Sequence, residues 1–222
     1  MKKLCKINPA VDKGGEAFYN NSDIKTKEDP PLKICIFGAS SDAPEKEYFD
    51  AARRAGELMA EGGHTLVYGG GSTGLMGACA DGVKSRGGRA IGIAPRYFDE
   101  ADFLRKDFGE LLLTDTMAER KTMMLDLAES FLVLPGGTGT MDEFFETLTL
   151  KQLGKQPKPI VLLNTLGYYE PLYALLRDMA AKGFTGESAL GMLSLCATPE
   201  EAVACAARPE SAGTRGVADY NR

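Results

Sequence analysis

The chain has 222 residues, 44% of them hydrophobic, which is enough for one large domain with a substantial core or for two small ones. A formal net charge of −5 disfavours a nucleic-acid polymer or an anionic membrane surface as the main partner, and no apolar run approaches the roughly 20 residues of a membrane-spanning helix. Five scattered cysteines without a CxxC pair and a single histidine, His64, offer no usual zinc ligand set, so no metal and no cofactor are expected, and the thiols fit a reducing cytoplasm.

Residues 1–31 read as a flexible extension. Lys2, Lys3 and Lys6 precede no continuous apolar segment, so a secretory signal is not expected, and Gly14-Gly15, Asn20-Asn21 and Pro30-Pro31 punctuate a polar stretch. Residues 32–208 alternate short apolar runs with longer helical patterns. Strands are predicted at Ile34 to Phe37, Thr65 to Tyr68, Ala90 to Ala94, Leu111 to Thr114, Phe131 to Leu134 and Ile160 to Leu163. Helices are predicted from Glu45 to Glu61, from the Gly69 to Gly77 stretch on to about Ser85, and over Met117 to Ala128, Thr140 to Leu153, Tyr169 to Ala181 and Pro199 to Ala206. Near-continuous apolar strands separated by helices predict an α/β fold, a parallel sheet with helices on both faces. Residues 209–222, with Gly213 and Gly216 among small and polar side chains, read as a flexible tail.

Three turns bearing glycine or serine follow predicted strands: Gly38 to Ser41, Gly69 to Gly74 and Gly136 to Gly139. In a doubly wound sheet all three share the carboxyl edge, where ligands gather. Residues 69–74 match G-x-G-x-x-G, yet the strand Ala90 to Ala94 ends in no acidic residue to hold a ribose hydroxyl, which argues against NAD or FAD. The absence of GxxxxGK[ST] argues against a P-loop nucleotidase.

A helix starting near Asp115 places Met117, Arg120 and Met124 on one face. Arg120 either lays its stem on the core and pairs with Glu119 or another surface acid, or turns its guanidinium to the glycine loops, toward a phosphate, a ribose or Glu143. Met117 then pads a flat base or simply packs the core. The run Leu132 to Glu143 reads as strand, glycine loop and helix, a ready anion site. Glu143 falls in the first turn of that helix. Thr140 to Glu143 also fits the S/T-x-x-E capping box, so Glu143 is open to two readings, a cap and a chemical group.

The stretch Gly69 to Gly77, the run Met117 to Lys121 and the motif Pro135 to Glu143 together resemble the Lonely Guy (LOG) family of cytokinin riboside 5′-monophosphate phosphoribohydrolases, long mislabelled as lysine decarboxylases. The likeness covers about residues 33–180 and includes Gln152-Leu153-Gly154. It implies a single Rossmann-like, doubly wound domain, a homodimer, and hydrolysis of the N-glycosidic bond of a nucleoside 5′-monophosphate to free base and ribose 5-phosphate. By the resemblance Arg120 and Glu143 are the catalytic pair. Lys121, Gly136, Gly137, Thr138, Gly139 and Thr140 are nucleotide-binding, with Gly70, Gly71 and Met117 beside them. Thr138, Leu150 and Ala39 depart from the residues common in relatives, which bears on the preferred base more than on the reaction. A nucleotide-binding module without catalysis and a (deoxy)ribosyl transferase are the alternatives.

Overall fold

The computed structural model describes residues 30–100 and 103–208, so all but the end of the expected extension and the whole of the expected tail lie outside the described residues. Seven strands form one parallel sheet: β1 (Lys33–Phe37), β2 (Thr65–Tyr68), β3 (Arg89–Pro95), β4 (Glu110–Thr114), β5 (Ser130–Val133), β6 (Ile160–Leu163) and β7 (Ser194–Cys196). Their order is β4-β3-β2-β1-β5-β6-β7. The chain builds outward from β1 through β4, then returns to pair β5 with the free side of β1. That reversal opens a crevice at the carboxyl ends of β1 and β5, the usual ligand position in an open α/β sheet.

The helices are α1 (Lys46–Glu61), α2 (Gly74–Ser85), α3 (Arg96–Glu100), α4 (Met117–Leu127), α5 (Thr138–Gln152), α6 (Glu170–Ala181) and α7 (Pro199–Ala206). Strand residues are sorted by parity between two cores. Ile34, Ile36, Leu66, Leu132 and Leu134 pack under α1, α2 and α7, whereas Cys35, Phe37, Val67, Phe131 and Val133 pack under α4, α5 and α6. Both faces are covered, which is why the strands read as unbroken apolar runs. Cys35, Cys79, Cys196 and Cys205 are buried as small apolar residues, and Cys5 lies outside the described residues. His64 is buried too, and its Nδ1 accepts the Leu32 N–H at 3.1 Å.

Six of the seven strands fall where the apolar runs put them. β7 was not expected, because three residues leave no period to read, and neither was the five-residue α3. Among the described residues no helix is long and apolar enough to cross a membrane.

Two glycines set how closely α1 and α2 cross. A Cβ at Gly56 would fall 2.0 Å from the Cys79 carbonyl oxygen, and one at Gly82 would fall 2.0 Å from that of Arg53. Each helix thus seats a glycine on the backbone of the other, and no side-chain movement relieves an added methyl. Gly56→Ala is expected to lower stability by about 3 kcal/mol in chemical denaturation, the upper end for overpacking. A variant as stable as the parent would mean that the helices separate freely.

Candidate active site

Because every strand is parallel, the turns after β1, β2 and β5 meet at one edge. They enclose a cavity of about 580 Å³, within the range of small-molecule sites. Gly38 to Ser41 form one side, Gly69, Gly71 and Thr73 another, and Gly137 to Thr140 the floor. Gly70 turns the second loop with a φ of +74°, a conformation that side-chain-bearing residues rarely adopt.

Both α2 and α5 begin at this cavity, and their ends differ. At α2 the Gly74 N–H donates to Asp42 Oδ1 at 2.8 Å and the Leu75 N–H to the Ala39 carbonyl at 2.9 Å. That end is neutralised from within the chain. At α5 the N-cap is Gly137, no side chain caps the turn, and the first intrahelical bond runs from the Met141 N–H to the Gly137 carbonyl. The amides of the first turn and the positive end of the helix dipole therefore meet the cavity at Thr138, Gly139 and Thr140. An anion binds best there.

Above this floor stands a buried ion pair. Arg120 Nη1 donates to Glu143 Oε1 at 2.7 Å, with side chains only 9% and 11% exposed. The guanidinium is held from a second side by its Nε–H, which donates to the Ile93 carbonyl at 3.1 Å at the end of β3. On a third side it abuts the β2 loop so closely that a Cβ on Gly69 would fall 2.3 Å from Nη2. Burial pushes the Glu143 carboxyl above the ordinary glutamate value, and the Arg120 guanidinium pulls it part of the way back. A carboxylate fixed in this way, with water largely excluded, can stabilise positive charge on a sugar carbon or take a proton from water.

The structure excludes the capping reading of Glu143 and the pairing of Arg120 with Glu119. Thr140 lies inside α5 rather than at its N-cap, and Glu143 turns to Arg120, so the capping box at Thr140 is not formed. The box is built one helix earlier, where Thr116 Oγ1 accepts the Glu119 N–H at 3.1 Å and Glu119 accepts the Thr116 N–H at 3.2 Å. Glu119 is thereby engaged and does not pair with Arg120.

Of the expected site residues, Gly71, Met117, Arg120, Lys121, Gly137, Thr138, Gly139, Thr140 and Glu143 all line the cavity. Gly70 and Gly136 do not. The first turns the loop behind Gly71, and the second lies against Thr140, whose Oγ1 would be 2.1 Å from an added Cβ. Lys121 reaches the cavity but spends its charge on Asp142 (3.0 Å) and Glu146 (2.9 Å), and the Glu146 contact does most to raise its pKa.

Sequence reasoning missed the apolar wall. Phe98, Phe103 and Leu104 line the cavity together with Met76 and Met117. Phe103 and Leu104 are strapped to the β2 loop by backbone pairing: the Ser72 N–H donates to the Phe103 carbonyl at 3.1 Å, Gly71 bridges to Leu104, and the Arg105 N–H donates to the Gly70 carbonyl at 2.8 Å. The only local signal was a cluster of aromatics after β3 with no helix or strand period of its own.

A family model described as "Possible lysine decarboxylase" matches residues 76–205. The chain is 36% identical over 171 residues to the cytokinin riboside 5′-monophosphate phosphoribohydrolase LOG of Oryza sativa subsp. japonica, covering 77% of this chain and 71% of the relative. It is also 36% identical over 174 residues to the cytokinin riboside 5′-monophosphate phosphoribohydrolase of Mycobacterium tuberculosis, covering 78% and 92%. Among solved structures, the molybdenum cofactor carrier protein of Chlamydomonas reinhardtii shares the fold, with a TM-score of 0.62 at 22% identity over 79% of this chain and 95% of that one. Matches of this extent and identity show that the chain belongs to the Lonely Guy family of cytokinin riboside 5′-monophosphate phosphoribohydrolases.

Proposed function

We propose that the protein hydrolyses the N-glycosidic bond of a nucleoside 5′-monophosphate, releasing the free base and ribose 5-phosphate. The observation that carries this reading is the buried Arg120–Glu143 pair standing beside the uncapped start of α5 in one cavity. The 5′-phosphate takes the first-turn amides of Thr138 to Thr140, which sets the ribose near Glu143. As the C1′–N bond breaks, its electron pair leaves with the base and positive charge develops on C1′. The Glu143 carboxylate stabilises that charge and takes a proton from the attacking water, whose hydroxyl joins C1′ and whose proton ends on the base. Arg120 keeps the carboxylate oriented and ionised.

The wall of Phe98, Phe103, Leu104 and Met117 suits a base with an apolar substituent, such as a prenylated adenine, better than a bare one. A homodimer in the cytoplasm completes the reading, and light scattering of the purified protein tests the dimer.

Incubation with AMP and, separately, with isopentenyladenosine 5′-monophosphate, followed by chromatography, is expected to yield free base and ribose 5-phosphate, faster from the prenylated substrate. Nucleotide bound intact after long incubation would point instead to a binding module. A new nucleotide formed only with an added acceptor base would point to a transferase.

A further inference from the structure

The glycine loop after β5 is braced from outside the cavity by two tyrosines. Tyr169 donates its hydroxyl to the Leu134 carbonyl and Tyr168 donates to the Gly136 carbonyl, each at 2.6 Å. Neither lines the cavity. Both come from the turn between β6 and α6, because β6 is the neighbour of β5 and its following turn lies at the same edge. Tyr169 is buried, and burial pushes its hydroxyl above the ordinary tyrosine value, so it remains a donor. Tyr168 is 41% exposed, with its ring set edge-on to Tyr48 and Tyr169.

The turn that presents Tyr168 is strained and tightly held. Leu166 has a φ of +51°, alone among the described non-glycine residues in being positive. Asn164 ties the turn together: its carbonyl accepts the Gly167 N–H at 3.1 Å and its Oδ1 accepts the Tyr169 N–H at 2.7 Å. Strain of this kind persists only where the surroundings enforce it, and it concentrates near functional sites.

The bond to Gly136 matters because of what lies on the other side of that peptide. A planar trans peptide points its C=O and N–H in opposite directions, and no described peptide is cis. With the Gly136 carbonyl held by Tyr168 outside the cavity, the Gly137 N–H is directed the opposite way, and Gly137 lines the cavity floor. A peptide between two glycines has little intrinsic preference and flips readily unless something holds it. We propose that Tyr168 is a positioning residue: its hydroxyl locks the Gly136–Gly137 peptide so that the Gly137 amide joins the α5 amides as a preset donor to the substrate's phosphate.

This inference rests on the nucleotide reading of the cavity. The test is calorimetric titration of wild-type protein and Tyr168→Phe with ribose 5-phosphate and, separately, with adenine. The phenylalanine keeps the ring contacts and removes only the donor. Ribose 5-phosphate is expected to bind about tenfold more weakly to the variant, adenine equally to both, and KM for the nucleotide to rise about tenfold with kcat within about twofold. Unchanged affinity for ribose 5-phosphate, or an equal loss for both ligands, overturns the positioning role and leaves the nucleotide reading intact. Wild-type protein that ignores ribose 5-phosphate overturns the nucleotide reading, and this inference with it.

Discussion

Glu143→Gln is expected to lower kcat about 10³-fold while nucleotide affinity stays within a few-fold of the parent. The substitution keeps the shape of the side chain and an oxygen in the place of Oε1, so the 2.7 Å bond from Arg120 retains an acceptor. What disappears is the negative charge and the ability to take a proton. The fold should tolerate this, because a neutral amide no longer bears the cost of burying a carboxylate, which is the influence that raises the Glu143 pKa most. That relief offsets part of the lost attraction to Arg120. Turnover by chromatography, binding by titration and the melting temperature separate the outcomes. Turnover near the parental rate, accompanied by a lowered melting temperature, would make Glu143 a structural partner of Arg120 and nothing more.

Arg120→Met should be the more damaging change to the fold. It leaves a carboxylate only 11% exposed without its cation, while the other nearby cation, Lys121, is engaged by Asp142 and Glu146. Removing one member of a buried pair costs about 3–5 kcal/mol, and activity should vanish with it. The cost should depend on pH in a predictable direction. Burial already holds the Glu143 pKa above its unfolded value, and loss of Arg120 raises it further. Between the unfolded and folded values the native state keeps a proton that the unfolded chain has released, so stability falls as pH rises through that window. Denaturation of the variant at about pH 5 should therefore recover part of the stability lost at pH 7.5, and a second substitution, Glu143→Leu, should recover it at both. Equal loss at both pH values would show that the packing of the arginine stem, not its charge, is what the variant removes. Arg120→Lys should not restore activity, because a single ammonium cannot meet the Ile93 carbonyl, the Gly69 loop and Glu143 in one plane.

The parts of the fold that were legible in the sequence are those governed by local pattern. β1, β2, β5 and β6 are buried on both faces, so their sequences are apolar almost throughout, and α1, α6 and α7 have bounds close to those their periodicity predicts. β7 pairs through only three residues beside β6, too few for a pattern. α3 and the strap that follows it draw their order from the β2 loop, across a sequence gap that no local rule spans. Thr140 to Glu143 and Thr116 to Glu119 carry the same kind of capping signature, yet only the second forms a cap. The glycines before Thr140 let α5 start at Thr138, which carries Glu143 past the position from which a side chain can reach back.

By itself the sequence determined the α/β class, the parallel sheet and the three loops at its carboxyl edge, and it left Arg120 and Glu143 open between structural and chemical uses. These follow from burial, which writes itself into apolar periodicity, and from glycine, which marks where backbone must turn or come close. Tertiary structure alone decided that Glu143 meets Arg120 rather than its own helix end, that Asp42 neutralises α2 while α5 stays open, and that Phe98, Phe103 and Tyr168 belong to the site or its support. Each of these depends on which residues far apart in the chain are brought within about 3–4 Å, and at that range charge pairing and hydrogen bonding choose among partners that local pattern leaves equivalent.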